Sequence, residues 1–126
     1  MHIDTDLRSL TEAIEAVSAR YAQRFGIRRD LDWCLLKLAE ELGELTQAHL
    51  KRSGQARTSS DASELTRRFE DEMADVLGQL LVLAKLSGTD LRAAVERKWM
   101  RWHPSRMSEQ SYLAVASNGP TDGETK

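Results

Sequence analysis

At 126 residues, 40% of them apolar and 30% charged, the chain has the length and balance of a folded domain, not of a disordered or membrane-embedded segment. A net charge of −2 argues against non-specific binding of nucleic acid, whose phosphates are held by an excess of Lys and Arg. The single cysteine, Cys34, excludes an internal disulfide, and its apolar neighbours mark it as a buried structural thiol rather than a nucleophile. Asp4 and Asp6 stand where a secretory leader would be basic, and no apolar run reaches transmembrane length, so a cytoplasmic protein with no membrane partner is expected.

Leu10, Ile14, Val17 and Tyr21 recur every three or four residues and predict a first helix from about Leu7 to Phe25, ended near Gly26. Asp30 is a suitable N-cap for a second, in which Leu31, Leu35, Leu38, Leu42 and Leu45 form an apolar stripe reaching toward Leu50. From Ser53 to Ser63 the residues are polar and turn-prone, which reads as a flexible connection. A third helix is expected from about Ala62 to Leu86, carrying Leu65, Phe69, Met73, Val76, Leu80, Leu83 and Ala84, with Gly88 as its stop. Thr89 or Asp90 caps a fourth, which includes Leu91, Ala94, Val95, Lys98 and Trp99 and ends before Pro104. From about Ser108 the chain becomes rich in Ser, Asn, Gly, Pro and Thr, so residues 108–126 read as a disordered tail. With no strand alternation or repeat, the fold class is all-α. A four-helix bundle is the economical architecture, and its long apolar stripes call for a second chain to cover them.

The second helix carries Glu40-Glu41-Leu42-Gly43-Glu44 and the third Glu70-Asp71-Glu72-Met73-Ala74-Asp75, so each offers an acidic pair spaced i, i+3 on one face. Glu41 is one turn from Leu38 and Leu45, and Glu72 is one turn from Phe69 and Val76, which places both beside the apolar stripe. At a rise of roughly 1.5 Å per residue, Glu44 lies about 12 Å and Glu72 about 15 Å from the connecting loop, so an antiparallel hairpin brings the pairs together. Carboxylates gathered at a core repel one another and lose hydration unless a cation compensates, and oxygen-only ligands favour magnesium or manganese. Solvated helix faces are also often acidic, and one Glu-x-x-Glu alone has no such meaning. Gly43 and Gly78 adjoin the acidic region, where close helix approach or ligand access would explain a mid-helix glycine.

Lys37-Leu-Ala-Glu-Glu-Leu-Gly-Glu-Leu45 and Glu72-Met-Ala-Asp-Val-Leu77, followed by the apolar run Leu80 to Ala84, resemble the MazG-like members of the all-α nucleoside triphosphate pyrophosphohydrolases. The similarity covers about residues Leu31 to Trp102. It implies a MazG-like helical domain over residues 1–107, with Glu41, Glu44, Glu72 and Asp75 as ligands of Mg2+, for which Mn2+ can substitute. It further implies cleavage of (deoxy)nucleoside triphosphates between the α and β phosphates, giving nucleoside monophosphate and pyrophosphate, in a homo-oligomer, dimer or tetramer. Glu40 or Glu41 then positions the attacking water, and no serine or cysteine nucleophile is required. Lys98 and Arg101 are candidates to reach the triphosphate, although with Arg97 they also make sense as a solvated basic edge. The segment Lys98-Trp-Met-Arg-Trp-His-Pro104 departs from the Asn and Arg-Tyr-Pro elements of some members. Lys37 is a further phosphate candidate, and Trp33 either stacks on a nucleobase or packs at the helix start.

Two alternatives share the acids but not the substrate: an all-α pyrophosphatase acting on phosphoribosyl-ATP, and one acting on dUTP. A carboxylate-bridged di-iron bundle would need Glu-x-x-His pairs, which this sequence lacks. The remaining class is a non-enzymatic helical interaction module, in which the acids are merely solvated.

Overall fold

The computed structural model describes residues 6–106 and residue 113. The described residues form four α-helices and no strand: α1 (Leu7–Phe25), α2 (Leu31–Arg52), α3 (Ala62–Leu86) and α4 (Leu91–Lys98), followed by 3₁₀ turns at Met100–Trp102 and Pro104–Arg106. Each α-helix begins on an aspartate in extended conformation. Asp6, Asp30, Asp61 and Asp90 accept the backbone N–H of Ser9, Trp33, Glu64 and Ala93 at 2.7, 2.8, 2.9 and 3.0 Å, satisfying donors that a helix start leaves unpaired. At the other end of α1, Gly26 takes the left-handed conformation (φ 64°) that a side chain would strain, and Ile27 N–H turns back to the Ala22 carbonyl at 2.8 Å.

The chain divides into two compact units, Met1–Thr89 and Asp90–Lys126. In the first, α2 and α3 form an antiparallel hairpin: His49 and Arg52 near the end of α2 meet Phe69 near the start of α3, with ring centroids 6.1 Å apart and the guanidinium 4.7 Å over the ring. α1 runs antiparallel to α3, since Glu12 pairs with Lys85 and Ile14 lies beside Gly78. The link between α1 and α2 is fixed by Arg29, which donates to both carboxylate oxygens of Glu15 at 2.9 and 2.7 Å and to Ser18 at 3.1 Å. The connection after α2 is less loose at its start than its composition suggests, because Gln55 and Ala56 N–H both bond the Leu50 carbonyl.

The core of this unit is Ala22, Cys34, Ala48, Leu81, Val82 and Ala84. Burial of Leu81 and Val82 contributes about 1.5–3 kcal/mol each. On α2 the buried row runs Cys34, Glu41, Ala48, every seventh residue, flanked by half-buried Leu38 and Leu45. The expected stripe is therefore displaced: Leu31, Leu35 and Leu42 are 44%, 53% and 54% exposed. The buried line of α2 thus runs through the small Cys34 and Ala48, and the outer leucines are left uncovered. Val17, Tyr21 and Phe25 on α1, and Met73 and Leu77 on α3, are exposed likewise. Burial pushes the Cys34 thiol above its ordinary value, which keeps it protonated and suits a packing role.

In the second unit α4 ends one residue earlier than its sequence pattern suggests, with Trp99 as the C-cap. His103, held extended (ψ 135°) by the proline that follows it, separates the two 3₁₀ turns. Among the described residues no helix is long and apolar enough to cross a membrane. The expectation for the tail, residues 108–126, lies outside the described residues, residue 113 apart.

Candidate metal centre

The two acidic pairs meet across the α2–α3 hairpin. Glu41, Glu72 and Asp75 each place a carboxylate oxygen within 4.8 Å of the others. Among the described residues Glu41 is the one charged side chain that is buried, at 7% exposure, while Glu72 is half-buried and Asp75 exposed. The cluster thus opens from a buried floor toward solvent.

Its electrostatics are those of an under-compensated site. Burial raises the Glu41 carboxyl above the usual glutamate value, the charges of Glu44 and Asp75 raise it further, and Lys37 opposes them. Glu72 is raised by the same causes, burial first and then Glu44 and Asp75, with Arg68 acting against them. Partial burial pulls the Lys37 ammonium down, and Glu40 and Glu41 more than reverse this, so it stays charged. Lys37 Nζ lies 3.3 Å from Glu40 Oε2 and 3.7 Å from Glu41 Oε1. The second oxygen of Glu41 and one oxygen of Glu72 are buried with no hydrogen-bond partner.

The donor set fits a hard divalent cation. Three carboxylate oxygens gathered within 4.8 Å, all of them hard donors, are the ligand type that magnesium and manganese take.

Of the residues the sequence singles out, Glu41, Glu72 and Asp75 come together, and Glu44 stands beside them, exposed, its charge felt by both glutamates but its oxygens outside the 4.8 Å set. Glu40 is exposed at the rim, paired with Lys37. Trp33 is half-buried in the first turn of α2, its N–H held by the Asp30 cap. Lys98 and Arg101 belong to the second unit and are exposed, Arg101 lying 4.7 Å over the Trp102 ring. Gly43 has open space where a Cβ would stand, and a Cβ on Gly78 would meet Ile14 at an ordinary 3.9 Å, so neither glycine marks a close helix approach. Sequence reasoning passed over Gln79, whose Oε1 is the remaining buried side-chain oxygen without a partner among the described residues. Its signal is its position, four residues after Asp75 in an otherwise apolar run.

Set against known protein families, curated proteins and solved structures, the chain finds no match.

Proposed function

We propose that the protein is a magnesium-dependent nucleoside triphosphate pyrophosphohydrolase resembling the MazG-like enzymes, releasing pyrophosphate and a nucleoside monophosphate. The observation that carries this reading is the buried Glu41, with an unpartnered oxygen, among two further carboxylates. Helices do not bury such a group without a compensating charge, and Lys37 engages only one of its oxygens.

Glu41, Glu72 and Asp75 would hold the ion, with Glu44 adding negative charge at the open side. The ion, when bound, supplies positive charge to the phosphates and lowers the pKa of an attacking water. Glu40, exposed and paired with Lys37, would orient that water. Lys37 carries a charged ammonium within reach of a phosphate that displaces it from Glu40. Trp33 lies one turn before Lys37 and offers a ring for base stacking, while Lys98 and Arg101 are the candidate cations of the second unit. In this reading the protein is a cytoplasmic homo-oligomer, a second copy covering Leu31, Leu35 and Leu42.

The test is pyrophosphate release from canonical and modified deoxynucleoside triphosphates with magnesium, beside a Glu41→Gln/Glu72→Gln variant shown to fold. Release by the native protein alone supports the reading and ranks the substrates. Equal release by the variant, or none by either, removes triphosphate hydrolysis from consideration.

A further inference from the structure

The buried side-chain oxygens without a hydrogen-bond partner, among the described residues, are Glu41 Oε2, Glu72 Oε2 and Gln79 Oε1. Two belong to the acidic triad. The third stands on α3 four residues after Asp75 and seven after Glu72, so the helical repeat puts it on their face, with its Cβ about 5–6 Å from that of Asp75. An amide oxygen taken out of water without a donor forfeits a hydrogen bond that an apolar side chain would never have needed. Lys37, the cation at the acids, has its Nζ engaged with Glu40 and Glu41.

Three carboxylates followed, one turn further along α3, by a lone acceptor oxygen make a graded site. It asks for a positive charge at the acids and for a hydrogen-bond donor one layer beyond. A hydrated divalent cation presents both, since magnesium and manganese keep several waters when few carboxylates hold them. We propose that Gln79 is a positioning residue of the metal centre, its Oε1 accepting a hydrogen bond from the hydration shell of the ion held by Glu41, Glu72 and Asp75. This rests on the reading of the triad as a metal centre. Outer-shell partners of this kind fix the orientation of what the ion carries, and their loss weakens metal binding by about 10- to 100-fold.

Manganese titration by calorimetry on the full chain, native and as Gln79→Met and Gln79→Glu, tests the assignment without any nucleotide. The native protein is expected to bind manganese, Gln79→Met to bind it about tenfold more weakly, and Gln79→Glu, which keeps an acceptor in place, at least as tightly as native. Metal-free Gln79→Met is expected to unfold at the native temperature or above it, because an orphan acceptor has been removed. Native-like manganese affinity in Gln79→Met, or a loss in Gln79→Glu equal to that in Gln79→Met, overturns the role of Gln79 and leaves the metal centre standing. No manganese binding by the native chain overturns the centre itself and this inference with it.

Discussion

Lys37 and Glu41, one turn apart on α2, stand 3.7 Å from each other through Nζ and Oε1, and the other oxygen of Glu41 has no partner. The lysine is an incomplete answer to the buried charge. Because a cation next to a cation site can only repel the incoming ion, Lys37→Met is expected to leave manganese affinity unchanged or to tighten it. The same change should raise KM for a triphosphate, if Lys37 turns to phosphate. The neighbouring Lys37–Glu40 pair, whose glutamate is exposed, is worth no more than about 1 kcal/mol. Calorimetry of manganese binding beside steady-state kinetics checks both, and weaker manganese binding would make Lys37 part of the ion's support.

The raised carboxyls give the metal-free protein an unusual pH profile. Glu41 and Glu72 hold their protons more tightly folded than unfolded, so their contribution is fully present below the ordinary 4.5 of a glutamate and is lost as pH rises through the folded values. The N-caps Asp6 and Asp61 have the opposite sense: hydrogen bonds from the backbone of Ser9 and Glu64 lower them, so their contribution is lost only as pH falls below the ordinary 3.8. In chelator, stability is expected to fall as pH rises above the ordinary 4.5 of a glutamate. With saturating magnesium the slope over that window should reverse, because binding requires the ionised carboxylates. Urea unfolding at several pH values measures it, and identical slopes with and without magnesium would contradict it.

The Arg29–Glu15 fork is mostly buried, its side chains 13% and 18% exposed. Arg29→Ala leaves the Glu15 carboxylate without its partner and frees the link between α1 and α2, a loss on the order of 2 kcal/mol. A double-mutant cycle with Glu15→Ala in urea is expected to show coupling above about 1 kcal/mol. Coupling near zero would make the fork energetically a surface pair.

Gly43 sits inside α2 with open space where a Cβ would be. Gly43→Ala is therefore expected to stabilise the fold by about 0.5–1 kcal/mol through reduced freedom of the unfolded chain. Urea midpoints check the stability, and a parallel pyrophosphate assay shows whether substrate needs the bare backbone there. A destabilised Gly43→Ala would mean that the space is filled by another element.

The helices were legible because their signals are local: an aspartate before α2, Thr89 or Asp90 before α4, glycine after α1 and α3, and apolar residues at helical spacing between. The caps at Asp6 and Asp61 were equally readable, the latter followed by glutamate at the third position, yet the apolar period alone had already set those boundaries. Which row of α2 is buried was not legible, since leucine spacing describes a wide face and cannot tell that the line through Cys34 and Ala48 is the buried one. The meeting of Glu41 with Glu72 and Asp75 followed from matched depths along an antiparallel pair. The exposure of Glu44 did not, because two residues spaced i, i+3 still differ by a sector of the helix. The signal of Gln79, its place four residues after Asp75 in an apolar run, took on meaning only once the acids were seen to meet.

The central claim is that Glu41 is buried for a metal, and thermal unfolding of the native chain and of Glu41→Gln, each in chelator and in magnesium, tests it most directly. In chelator Glu41→Gln is expected to be at least as stable as native, since a buried charge is replaced by an amide able to donate to neighbouring carboxylates. Magnesium tenfold above its dissociation constant should stabilise the native chain by about 1.4 kcal/mol, roughly 5–10 °C for a domain of this size, and leave Glu41→Gln nearly unchanged. A Glu41→Gln protein that loses stability in chelator and gains as much from magnesium as native would contradict the claim and make Glu41 a structural residue.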